Sequence, residues 1–142
     1  MNKPMGFVLA AGLATLLACG SSRPLTGGWN AQLQNPDTST ALTFFADLKQ
    51  SGSTVNVSNF GSGPTGTIAA CFGGSGLSEF ANMSGGHFAM TVSTLFPTPT
   101  NNTFTLNGTQ TSGGTISGTW TSSGQSGCAG SGSFSMSGVP PV

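Results

Sequence analysis

The chain has 142 residues, with Lys plus Arg at 3 and Asp plus Glu at 3, so its formal net charge is zero and 4% of it is charged, against roughly 25% in an average soluble domain. Gly, Ser and Thr account for 62 residues, and there is no Tyr. This balance argues against a nucleic-acid binder, which needs a basic patch to neutralise phosphates, and against a coiled coil or helical bundle, which needs Ala, Glu, Lys and Leu in quantity; the length suits one domain.

The N-terminal segment reads as an export signal. Lys3 supplies a positive start, and Met5 to Ala18 is an uncharged, mostly apolar run, the length of a signal core and too short to span a bilayer. The run ends in Leu16-Leu17-Ala18-Cys19, which resembles the lipobox of bacterial lipoproteins. The resemblance implies cleavage before Cys19 and acylation of that residue, palmitate among the acyl chains. Several chains on one residue anchor stably where a single one is marginal. Gly20 stands where an Asp would imply retention at the inner membrane, so the resemblance implies outer-membrane or surface display, lipid-anchored in the bacterial cell envelope. The alternative is an ordinary secretory signal whose Cys is not acylated. The expected organisation is a signal peptide over 1–18, a lipidated tether over 19–26, a β-barrel domain over 27–138 and a short tail over 139–142.

With Cys19 consumed by lipid, Cys71 and Cys128 remain. An even pair in an oxidising compartment points to a disulfide. The metal alternative is weak, because two isolated cysteines and the lone His87 lack the close ligand pairs of a structural zinc site.

From the tether onward the pattern has period two, the signature of half-buried strands. In chain order, Trp29, Ala31 and Leu33 alternate with Asn30 and Gln32. Leu42, Phe44, Ala46 and Leu48 share one face of the next strand, opposite Thr43, Asp47 and Lys49, with Phe45 breaking the alternation. Val55 and Val57 follow. The segment Thr65 to Phe72 fits either an extension of that strand or a loop pinned by Cys71. Leu77 to Met83 is less regular; Phe88, Met90 and Val92 alternate cleanly. Pro97 and Pro99 mark a longer loop. Phe104 with Leu106, Ile116 with Gly118 and Trp120, and Phe134 with Met136 complete about eight strands. Short Ser/Gly turns separate them, as in Ser84-Gly85-Gly86 and Ser112-Gly113-Gly114, so the expected fold is an all-β antiparallel meander closed into an up-and-down barrel. Closure also removes sheet edges that this surface has few charges to protect. Disorder is the competing reading, but it calls for high net charge, and this chain has none.

Leu25-Thr26-Gly27-Gly28-Trp29 recurs in form as Ile116-Ser117-Gly118-Thr119-Trp120. The first copy is similar to the opening strand of avidin-like and other calycin barrels, in which Gly-x-Trp caps the closed end. By that resemblance Trp29 and Trp120 are barrel-cap or ligand-contacting residues. Ala31 stands where avidin-like proteins carry a ligand-binding Asn, and that departure speaks against biotin. The whole body also resembles the small Gly/Ser/Thr-rich β-sheet lipoproteins of acidobacteria, in its two cysteine positions and in Ser131-Gly132-Ser133-Phe134.

Catalytic chemistry needs titratable groups brought together, and only Arg23, Asp37, Asp47, Lys49, Glu79 and His87 are on offer after the signal segment. Asp47 and Lys49 fit the polar face of one strand, and Asp37 follows Pro36 in a turn. No Gly-x-Ser-x-Gly elbow accompanies His87. Glu79 is in phase with Leu77, Ala81 and Met83. Pointing inward it would need a partner, and His87 across the turn would be the candidate, the two forming a polar anchor in a ligand cavity. The opposite phase puts Phe80 inside and Glu79 in water, and this is the favoured reading.

No catalytic, cofactor or metal site is expected. The expected function is a lipid-anchored, non-enzymatic structural module or a binder of envelope proteins or glycans. A carrier of a small apolar ligand is the alternative, with a hydrolase-inhibitor-type barrel or an enzyme further behind.

Overall fold

The computed structural model describes residues 23–36, 38–62, 71–72, 76–95 and 101–139. The signal segment, Cys19, Asp37, the stretch 65–70 and the two loop prolines Pro97 and Pro99 lie outside the described residues. Eight strands follow one another: β1 (Thr26–Asn35), β2 (Thr38–Ser51), β3 (Thr54–Ser62), β4 (Leu77–Ser84), β5 (His87–Thr94), β6 (Thr103–Gln110), β7 (Ile116–Ser123) and β8 (Gly130–Gly138). Each pairs antiparallel with the next, and β1 pairs with β8, so the sheet closes into a barrel with every strand next to its chain neighbour. The eight-stranded meander read from period-two alternation is the observed fold.

Short turns make that order possible. Gly85 and Gly86 alone connect β4 to β5, at φ of 56° and 83°. Two consecutive left-handed residues give the tight hairpin turn whose twist matches the flanking strands, and glycine enters that region without steric cost.

Alternation sorts the side chains. Trp29, Ala31 and Leu33 from β1 point inward, as do Met83, Phe88, Met90, Leu106, Ile116, Trp120, Phe134 and Met136 from later strands, all buried in one apolar cluster. Phe104 packs edge-on against Phe44 at 5.9 Å and lies 6.2 Å from Trp120. The cluster is closed at one end by Leu25, which is wholly buried. Its N–H donates to Gln50 Oε1 at 2.9 Å, and its carbonyl accepts the Gln50 backbone N–H at 2.8 Å. The barrel therefore takes in Leu25 and Thr26, which the sequence reading placed in the tether. At the other end Phe72 is buried and 5.9 Å from Phe104.

β3 holds a register shift. Phe45 pairs with Gly61, and Asp47 pairs with Ser58, so β3 carries one extra residue between those pairs. Asn59 sits there at φ 50°, the left-handed residue typical of a bulge. The extra residue reverses the parity of the strand. Val55 is buried and Val57 packs on the core, and then Phe60 turns inward, 5.0 Å from Phe44, leaving Gly61 on the outside.

Gly108 and Gly118 are cross-strand partners on β6 and β7, and here space decides rather than φ. A methyl group on Gly108 would sit 2.7 Å from Phe134 Cζ, and one on Gly118 would meet the Asn107 carbonyl and lie 2.5 Å from Gly108 Cα. Gly118→Ala should therefore destabilise the barrel by about 1–3 kcal/mol through overpacking. Chemical unfolding of the variant beside wild type measures the difference, and an unchanged midpoint would show that the strands separate freely there.

Candidate functional site

Trp29 and Trp120 are both buried, at 6% and 0% exposure. Trp29 lies against Gly138 near the end of β8. Trp120 Nε1 donates to the Gln34 carbonyl at 3.1 Å, reaching across β8 to β1. Gly132, paired with Trp120, keeps that path open, since a methyl group there would lie 2.9 Å from the indole nitrogen. The recurring Gly-x-Trp motif therefore supplies core aromatics, one of which also bridges the seam between first and last strands.

Glu79 and His87 do not come together. Glu79 pairs with Val92 on the inward phase of β4, half-buried, while His87 pairs with Ser84 at the opposite end of β5 and is exposed. The His87 ring stands 3.5 Å from Thr109 Oγ1 on the outer wall. A Glu79–His87 anchor is therefore excluded by register. The favoured alternative phase is excluded as well, because Phe80 is 63% exposed. The strand follows the phase of Ala81 and Met83, whose burial outweighs that of a single Phe at the strand's rim. Among the described residues no three His, Cys, Asp or Glu side chains are grouped as metal ligands would be.

Cys71 and Cys128 form a disulfide, with Cα atoms 5.8 Å apart. A polar latch surrounds it that alternation could not reveal, since Asn102 at its centre and both cysteines lie outside the strands. Asn102 is buried; its Nδ2 donates to the Cys71 carbonyl at 3.1 Å, and its Oδ1 accepts the Gln125 N–H at 2.9 Å. Its backbone exchanges two hydrogen bonds with Thr94. Ser122 Oγ donates to the Cys128 carbonyl. One residue thus ties both cysteine-bearing loops, through its side chain, to the rim of β5, through its backbone. Gly124, at φ 136°, passes so close that a methyl group would strike Asn102.

The outer wall is built of hydroxyls and amides. Thr91, Thr105, Thr121 and Ser131 stand in one cross-strand row over β5 to β8. Recesses open on this wall among the described residues. One, of about 380 Å³, is lined by Asn82, His87, Asn107, Thr109, Ser117 and Thr119 among others. Another, of about 470 Å³, lies over β1, β2 and the end of β3, with Asn30, Gln32, Thr43, Phe45 and Gly61 around it. Phe45 was the break in the alternation of β2; the structure turns it outward at 36% exposure.

Asp47 also faces outward. Asn59 Nδ2 donates to its Oδ2 at 2.7 Å, so the residue that makes the bulge also engages the carboxylate. Comparison of the chain with protein-family models, with curated proteins and with solved structures returned no match.

Proposed function

We propose that this chain is a lipid-anchored protein of the bacterial cell envelope, held by acyl chains on Cys19, and that its barrel is a non-enzymatic module that meets envelope proteins or glycans with its outer wall. The observation that carries the reading is the division of the barrel into an apolar inside and a hydroxyl-lined outside. Inward positions hold Trp29, Phe44, Phe88, Met90, Phe104, Trp120 and Phe134, packed into one cluster. An eight-stranded barrel has room for packed side chains or one small ligand, and rings of this size favour the first use over the carrier alternative. The dispersal of Glu79, His87 and Asp47 on separate parts of the barrel supports a module without acid–base chemistry. The lipobox-like Leu16-Leu17-Ala18-Cys19 supports the anchor.

Cys19→Ser is expected to abolish incorporation of radiolabelled palmitate and to move the protein from the membrane to the soluble fraction of fractionated cells. A variant that stays with the membrane and keeps its label would sink the anchor. Titration of the purified protein with fluorescent fatty acids tests the inside: the reading expects no saturable uptake and no change in tryptophan emission.

A further inference from the structure

The half-open recess around Phe45 sets an exposed aromatic ring among polar side chains. Phe45 is an aromatic ring on the wet side of a barrel, at a strand position whose neighbours on the same face are Thr43 and Asp47. Its ring edge fills the space above Gly28 on β1: a methyl group on Gly28 would sit 2.9 Å from Phe45 Cε2. Glycine at that position seats the ring against the wall. Directly across the ladder its partners are Asn30 on one side and Gly61 on the other. Gly61 has no side chain, and the bulge at Asn59 is what puts it outside in place of Phe60, so no β3 side chain stands directly across the ladder from the ring.

The rim is polar and unengaged. The side chains of Asn30, Gln32 and Thr43 make no hydrogen bond to another protein group among the described residues. Amides and hydroxyls both donate and accept, as sugar hydroxyls do. The negative face of an aromatic ring attracts partly positive groups, which the C–H face of a pyranose presents. The recess, at about 470 Å³, falls in the range of ligand pockets, about 300–1,000 Å³. Asp47 shares the outer face of β2 with the ring, and its Oδ1 lies 3.5 Å from the place of a Gly28 methyl. A carboxylate there repels an anionic sugar and accepts from a neutral one.

We propose that this recess binds a neutral hexopyranose oligosaccharide, with Phe45 as the stacking platform and Asn30, Gln32 and Thr43 as the groups that take its hydroxyls. The assignment rests on the reading of the barrel as a module that binds with its outer wall, and it names the ligand class and the place.

The purified full-length chain is to be titrated with cellohexaose, chitohexaose and mannohexaose, with an oligoglucuronate as the charged control. Binding of a neutral hexamer is expected, with none of the control. Phe45→Leu still covers Gly28 but has no π face; it should weaken binding by about tenfold, the worth of one stacked ring, with an unchanged melting temperature. Phe45→Tyr should bind like wild type. Failure of all three hexamers to bind, or equal binding by Phe45→Leu, would overturn the proposal. Either result leaves the wider reading standing, because that reading fails on different measurements: membrane retention of Cys19→Ser, or uptake of a fatty acid by the barrel.

Discussion

Trp120→Ala is expected to remove about 3–5 kcal/mol of stability, the usual cost of emptying the site of a buried large aromatic. The side chain is fully buried and touches the Phe104 ring. Its loss would also remove the hydrogen bond to the Gln34 carbonyl at 3.1 Å, worth about 1 kcal/mol at this part-buried position. A small domain has only about 5–15 kcal/mol to lose, so the variant should unfold at far lower urea concentration. Trp120→Phe separates the two contributions: it keeps a ring in the core and deletes the N–H, so about 1 kcal/mol is expected from the hydrogen bond. Native tryptophan emission should already be blue-shifted in the wild type. A Trp120→Ala protein that unfolds at the wild-type midpoint would mean that the indole lines open space, which would promote the apolar-ligand carrier over the wall-binding module.

Period-two alternation carried the fold because each strand of a closed barrel has one wet face and one dry face, and this chain marks the dry one with Phe, Trp, Met and Leu. Phe88, Met90 and Val92, or Phe104 and Leu106, could be read without neighbours. The same logic was insufficient on β4. Glu79 and Phe80 compete there for one inward position, and only the pairing of Ala81 with Met90 and Met83 with Phe88 decides it. Phe60 was missed because a bulge reverses strand parity, and its sign in the sequence is a single Asn at 59 in the left-handed region. Leu25 went to the tether because one apolar residue beyond a strand has no period. Asn102 had no signal at all: its role comes from loops far apart in the chain, those of Cys71 and Gln125, meeting at one end. The Phe45 recess was half visible, as an aromatic residue out of phase. The meaning of that irregularity required Gly28 beneath it and Gly61 beside it, both supplied by register.

The double variant Cys71→Ala/Cys128→Ala should be the second most damaging change. The two cysteines are separated by 57 positions, and a closed loop of that size is worth about 4 kcal/mol in the chain-entropy model. The bond ties a loop leading into β4 to the loop leading into β8, which lie on opposite arms of the meander. β3 and β4 are joined by the shortest ladder of the barrel, Thr54 to Asn82 and Val55 to Ala81 among the described residues, so this region has the fewest backbone hydrogen bonds to hold it when the link is gone. The latch through Asn102 remains, but its bonds to the Cys71 carbonyl and the Gln125 N–H hold loops whose separation the disulfide limits, and each such bond is worth only about 1 kcal/mol. The melting temperature should therefore fall by on the order of 10–20 °C. Wild type treated with a reducing agent should show the same loss. Asn102→Ala with the disulfide intact should lose less, about 1–3 kcal/mol, from the acceptor and donor left unpaired. If the order is reversed, with Asn102→Ala melting below the double cysteine variant, then the polar latch and not the covalent link closes this end of the barrel.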